Sequence, residues 1–235
     1  MQKITPHLWF DKEAKEAAAL YTSIFPNSRI KRQSTLHNTP SGDVDLLSIE
    51  LSGSEFALIS AGPLFQFNPS ISFLVACAKK DEVDRLWSEL SKGGTPMMEL
   101  GSYPFSERYG WIQDRYGVSW QLMYGQRQGI TPVMMFTGSV DGKCEEAIRF
   151  YTSVFHHSSA GQMMHGPNGT VQFGQFMLEG QSFAAMDGQG QPHKFRFNEA
   201  ISLIVHCDDQ QEIDYYWERL SADPKAEQCG WLKDR

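Results

Sequence analysis

Gly110-Trp111-Ile112-Gln113-Asp114-Arg115 returns later in the chain as Gly230-Trp231-Leu232-Lys233-Asp234-Arg235. Three more pairs precede it in the same order. Ile4-Thr5-Pro6 recurs as Ile130-Thr131-Pro132, and Tyr21-Thr22-Ser23-Ile24-Phe25 as Tyr151-Thr152-Ser153-Val154-Phe155. Phe67-Asn68-Pro69-Ser70-Ile71-Ser72 recurs as Phe197-Asn198-Glu199-Ala200-Ile201-Ser202. Four ordered matches make the chain a tandem repeat. The halves meet in the short polar stretch 124–129, which reads as a linker. The expected units are residues 1–125 and 130–235.

Within one repeat, residues 4–10 alternate as a strand. Ala14, Ala17, Ala18, Tyr21, Ile24 and Phe25 then follow helical spacing, as do Cys144, Ala147, Ile148, Tyr151, Val154 and Phe155. Pro26 stops the first helix. Strands are expected over 28–36, 44–51 and 56–60, parted by the turn-rich stretch 37–42 and by Ser52-Gly53. The pattern then restarts. A buried strand covers Ile71–Cys77. A helix starts near Asp81, a candidate N-cap, with Val83, Leu86, Trp87 and Leu90 on one face. Gly93-Gly94 ends it. Short strands follow near 96–100, 110–114 and 118–123. Each repeat is two β-α-β-β-β modules, so the fold class is α+β with four modules in tandem.

Composition narrows the function. The chain has 235 residues, is 41% apolar and carries a net charge of −7. That length suits two domains. An acidic chain without a Lys/Arg cluster is a poor match for nucleic acid. No apolar run approaches the ~20 residues of a membrane span, and no secretion signal opens the chain. A soluble, cytoplasmic protein is expected. Cys77, Cys144, Cys207 and Cys229 form no Cys-x-x-Cys pair, which argues against a thiolate zinc site.

Paired β-α-β-β-β modules resemble the vicinal oxygen chelate superfamily, which includes glyoxalase and bleomycin-resistance proteins. Thr5-Pro6-His7-Leu8-Trp9-Phe10, the Phe67–Ser72 stretch and Gly110-Trp111-x-x-Asp114-Arg115-Tyr116-Gly117-Val118-Ser119-Trp120-Gln121 are similar to its PhnB-like branch. The resemblance implies curved mixed sheets around small-molecule cavities. It also implies that single-domain relatives dimerise, so the tandem chain would be an intramolecular pseudo-dimer, and a further homodimer is open. The branch carries the label demethylubiquinone methyltransferase. The sequence lacks what that chemistry needs, a Gly-rich turn after a first strand. Gly188-Gln189-Gly190 lies in a polar loop instead.

Metal-dependent members supply one inward His, Glu or Gln from each of four strands. The matching positions here are Thr5 or His7, then Ser60, Ser72 and Gln121. In the second repeat they are Thr131 or Val133, then Asp187 and Ser202. Hydroxyls are poor ligands for zinc, nickel or iron, so the ancestral metal site reads as lost, and no cofactor is expected. The ligand-pocket candidates are His7, Trp9, Ser60, Ser72, Trp111 and Gln121, with second-repeat counterparts Met135, Asp187 and Ser202. The first repeat, with the complete strand set, is the favoured cavity.

His7 would suit proton transfer near neutral pH, or is a polar side chain satisfied in a barrel. Gln121 would hydrogen-bond a ligand or a neighbouring strand. Trp111, Trp120 and Trp231 fit either a pocket wall or a core. Asp114-Arg115 and Asp234-Arg235 read as turn structure, with Arg able to pair with Asp. His37 and His165 read as hairpin residues, His156-His157 as a helix end, and His193 and His206 show no partner. No catalytic residue is assigned.

Three functions follow. The first is a metal-free protein binding an unknown small molecule. The second is a divalent-metal lyase, isomerase or dioxygenase. The third is a non-catalytic assembly module. The second repeat stops before a counterpart of residues 118–123, which would leave an unpaired sheet edge. Either the chain continues beyond Arg235, the preferred reading, or another segment fills the gap.

Overall fold

The computed structural model describes residues 2–39, 42–126 and 128–234. The turn residues Pro40-Ser41, the linker residue Arg127 and the terminal Arg235 lie outside them. Among the described residues the elements run β1 (Ile4–Phe10), α1 (Ala14–Ile24), β2 (Arg29–Thr39), β3 (Gly42–Leu51), β4 (Ser54–Ser60), β5 (Ile71–Cys77), α2 (Lys80–Leu90), β6 (Thr95–Tyr103), β7 (Ser106–Gln113) and β8 (Ser119–Tyr124). The second repeat continues with β9 (Gly129–Phe136), α3 (Cys144–Val154), β10 (Ser159–His165), β11 (Val171–Leu178), β12 (Gln181–Asp187), β13 (Ile201–Val205) and α4 (Gln210–Leu220). Modules one to three are β-α-β-β-β, as the sequence predicts.

Two details differ from expectation. The β2–β3 hairpin extends through the stretch expected to be a turn, with Thr39 opposite Gly42. Cross-strand polar pairs hold it: Thr35 Oγ1 donates to Asp45, and His37 Nδ1 lies 2.9 Å from Asp43. Lys79, not Asp81, is the N-cap of α2, and Asp81 sits in its first turn, where a carboxylate favours the helix dipole.

The sheets do not follow the repeats. One sheet has the order β13-β1-β4-β3-β2, the other β10-β11-β12-β9-β5-β8-β7-β6. In each, a strand of one repeat pairs antiparallel with a strand of the other. β1 meets β13 with His7 opposite Ser202, and β5 meets β9 with Ser72 opposite Val133. The loops before β5 and β13 tie the halves reciprocally. Asn68 Nδ2 donates to Arg196 O and Asn198 Nδ2 to Gln66 O. The tandem modules therefore form an intramolecular pair by exchanging strands.

Strand alternation decides what faces where. On β1, Leu8 and Phe10 point to a core shared with α1, α2, Phe73, Val75, Trp120 and Leu122. On the opposite face lie Thr5, His7 and Trp9. Helices α3 and α4 cover a second core with Phe136, Ile148, Phe176 and Tyr216. A third cluster stands on the far face of the eight-stranded sheet: Leu74, Tyr109, Trp111, Val133, Met135 and Ala184.

Close packing explains particular glycines. A Cβ on Gly110 would lie 2.5 Å from the Trp87 ring, so the Trp87 side chain of α2 packs directly on the β7 backbone. Gly93, at φ +79°, supplies the left-handed residue that ends α2.

Candidate functional site

The exchange of strands splits the expected first-repeat pocket. His7, Trp9 and Ser60 stand on the five-stranded sheet, whereas Ser72, Trp111 and Gln121 stand on the eight-stranded one. Each helix-free face instead combines strands of both repeats. Ser72, Trp111 and Gln121 share theirs with Val133 and Met135; His7 and Trp9 share theirs with Ser202 and Trp231.

Two candidates leave the faces altogether. Ser60 Oγ accepts from the Ala14 backbone N–H at 3.1 Å, at the start of α1. Asp187 plays the same part for α3, accepting from Gly142 N at 2.9 Å, Cys144 N at 3.1 Å and Val171 N at 2.7 Å. Both residues end a strand parallel to the opening strand of their module, opposite Phe10 and Phe136. That register aims them at the orphan amides of the following helix. Because the Asp187 carboxylate occupies the α3 start, that start is not open to a phosphate.

The eight-stranded face is apolar with one buried polar thread. Tyr109 Oη donates to Gln121 Oε1 at 2.7 Å, and Gln121 Nε2 donates to Ser72 Oγ at 2.8 Å. Trp111 Nε1 donates to Ser119 Oγ at 2.7 Å. Burial pushes the Tyr109 phenol well above its ordinary pKa, with the neighbouring Tyr103 adding to the shift. Every group of the thread is thus neutral. Met98, Met123, Phe173, Met186 and Phe195 pack around it. At the β6–β7 hairpin Tyr103 stacks on Phe105, and Tyr109 meets both rings edge-on.

Tyr109 and Ser119 were not singled out from the sequence. Register carries the missing signal: Trp111 lies opposite Gln121, so Tyr109, two residues away on the same face, is a diagonal neighbour of Gln121.

The five-stranded face is aromatic. His7 is buried, its Nδ1 3.3 Å from Ser202 Oγ, and its ring meets Trp231 edge-on at 5.4 Å. Desolvation lowers its pKa to about 4, so the imidazole is neutral at physiological pH. Trp9 packs between Phe65 and Trp231 and donates from Nε1 to Gly62 O at 2.9 Å. His206, partnerless in the sequence reading, lies with Nε2 3.0 Å from Thr5 Oγ1. His193 similarly gains Gly188 O and the Phe195 ring.

Asp114 is structural, as expected. It accepts from Tyr21 Oη, Trp120 Nε1 and the Tyr116 and Val118 amides. Arg115 does not pair with it but lies over the Tyr116 ring, 5.1 Å from the centroid.

The Gln121 amide is spent between Tyr109 and Ser72, and Ser60 and Asp187 are spent on helix starts. Hydroxyls supply most of the remaining positions. Among the described residues no three His, Cys, Asp or Glu side chains converge.

Paired β-α-β-β-β modules, with the helices of each sheet on one of its faces, give a glyoxalase-like fold. The chain belongs to the PhnB-like family described as 3-demethylubiquinone-9 3-methyltransferase, whose model matches residues 2–123 and again 128–235. A solved PhnB protein from Bacillus cereus, described by the same methyltransferase name, is 40% identical. The match covers 53% of this chain and 100% of that one, with a TM-score of 0.50. Glyoxalase I from Zea mays shares the fold at 14% identity, over 79% of this chain and 69% of its own, with a TM-score of 0.52. None of the curated proteins matches.

Proposed function

We propose that the helix-free face of the eight-stranded sheet binds a small, uncharged, largely apolar molecule. The observation that carries this is the Tyr109–Gln121–Ser72 thread. Apolar side chains of the same shape would do nearly as well or better for stability than this buried, hydrogen-bonded amide and phenol. Such a thread on an otherwise apolar face is suited to orienting a ligand, by exchanging an internal hydrogen bond for one to the ligand. The methionines around it can repack to admit one. Burial keeps the Tyr109 phenol un-ionised, and Gln121 and Ser72 carry no charge, which points to an uncharged ligand. The face draws on both repeats, so the tandem chain would supply within one polypeptide what a single repeat would need a second copy to build.

The test is a melting-temperature screen of the protein against uncharged aromatic and aliphatic compounds. A ligand present at a hundredfold excess over Kd adds about 2.7 kcal/mol to stability. A specific hit is expected, weakened by both Tyr109→Phe and Gln121→Leu. Hits indifferent to both substitutions, or no stabilising compound, would sink the proposal.

A further inference from the structure

We infer that the cavity between the end of α1, the start of α2 and the end of β5 takes the ammonium group of a short primary amine, with Glu82 as its counter-ion. Two matching junctions within the molecule carry the inference. In one, Ile4 lies opposite Val205; in the other, Ile130 lies opposite Val75. Their surroundings correspond in detail. Ser158 Oγ donates to His156 O just after α3, as Ser28 Oγ donates to Pro26 O just after α1. Tyr215 Oη donates to Val154 O, and Arg85 Nη1 to the equivalent Ile24 O. Glu212 in the first turn of α4 thus corresponds to Glu82 in the first turn of α2.

At the α4 junction a lysine fills the space. Lys3 Nζ lies 2.6 Å from Glu212 Oε1 and 6.0 Å from the centroid of the Tyr216 ring. Tyr216 Oη in turn donates to Glu179 at 2.8 Å. The second Glu212 oxygen accepts from Asp208 N at 2.8 Å. At the α2 junction the acid remains while the side chains around it shrink. Gly129 stands for Lys3, Leu86 for Tyr216 and Ser52 for Glu179. What is left is a cavity of about 120 Å³. The Glu82 side chain on its wall is half-buried, with no hydrogen-bond or ion-pair partner among the described residues. A Cβ on Gly129 would meet no atom within 4 Å. The room that a lysine arm takes at one junction therefore stands open at the other.

The lining matches a charged head on an apolar arm. Phe25, Val75 and Leu86 give it an apolar side; Glu82, Ser52 and Gln128 give it a polar one. An ammonium group has three N–H donors and no acceptor, and the Glu82 carboxylate, the Ser52 hydroxyl and the Gln128 amide oxygen can each accept one. The alkyl arm lies along the apolar side, as a lysine stem does. A divalent metal ion would ask for six or more oxygen ligands instead.

No residue of this cavity belongs to the Tyr109–Gln121–Ser72 face, so the two proposals fail separately. The test is a titration of the protein with n-butylammonium chloride at constant ionic strength, followed by backbone amide shifts. Saturable shifts at Ala76, Glu82 and Gly129 are expected. Tetramethylammonium has the charge without N–H donors, and n-butanol the arm without the charge; each should bind about tenfold more weakly. Glu82→Gln should weaken n-butylammonium by about the same factor. The Glu82 side chain makes no hydrogen bond in the folded chain, so circular dichroism of that variant should match the parent. Lys3→Ala empties the α4 junction and should add a second set of saturable shifts around Glu212. Nα-acetyl-lysine methylamide carries the same arm on a peptide. Tighter binding of it than of n-butylammonium would assign the site to a lysine of another chain, and weaker binding to a free amine. Unchanged affinity in Glu82→Gln, equal binding of tetramethylammonium, or shifts without saturation would overturn the inference.

Discussion

His7 carries its surroundings in its ionisation. Desolvation beside Trp231 lowers its pKa to about 4 from the ordinary 6.5. Between those values the unfolded chain holds a proton that the folded chain refuses. The stabilisation is complete above pH 6.5 and is lost as pH falls toward 4, by at most about 3 kcal/mol. Denaturant unfolding from pH 7.5 to 4 should show this slope, and His7→Gln should flatten it. An unchanged slope in the variant would mean that His7 does not titrate in this range. The residue scale is also where sequence reading reached least. His7, Ser202, Ser72 and Gln121 were legible as inward positions on strands. That Ser60 and Asp187 serve helix starts was not, because it depends on the register between β1 and β4 and between β9 and β12, which no local pattern encodes.

At the scale of elements, Ser60 and Asp187 show one task solved twice. A strand end reaches back to secure the helix that follows the neighbouring strand. Asp187→Ala strips acceptors from the Gly142, Cys144 and Val171 amides. It should cost about 2–4 kcal/mol, read as a lower denaturation midpoint at unchanged slope. Asp187→Ser should recover part of the loss, since serine already does this work at α1. Equal losses in the two variants would show that a serine hydroxyl cannot stand in for the carboxylate at α3. Helices and strands were readable because their apolar periods are strong: Ala14, Ala17, Ala18, Tyr21 and Ile24 form one buried stripe as spaced. The β2–β3 hairpin was drawn short because its long arms are held by exposed polar pairs that carry no apolar alternation.

At the scale of the whole molecule, the repeats were evident and their interleaving was not. Pairing of β1 with β13 and of β5 with β9 links segments far apart in sequence. A cleavage site inserted between Gly125 and Gly129 should therefore leave two fragments that stay together. Native mass spectrometry of the cut protein should report the intact mass. Separation into single fragments without denaturant would contradict the paired sheets. Among the described residues no helix is long and apolar enough to cross a membrane.

Exchange of strands also sets a timetable for synthesis. β1 leaves the ribosome nearly 200 residues ahead of its antiparallel partner β13. At about 5–20 residues per second the wait is roughly 10–40 s. Throughout it, one edge of the first sheet stands open beside apolar Leu8 and Phe10. Nascent chains of this protein should therefore be clients of ribosome-associated chaperones until the second repeat has emerged.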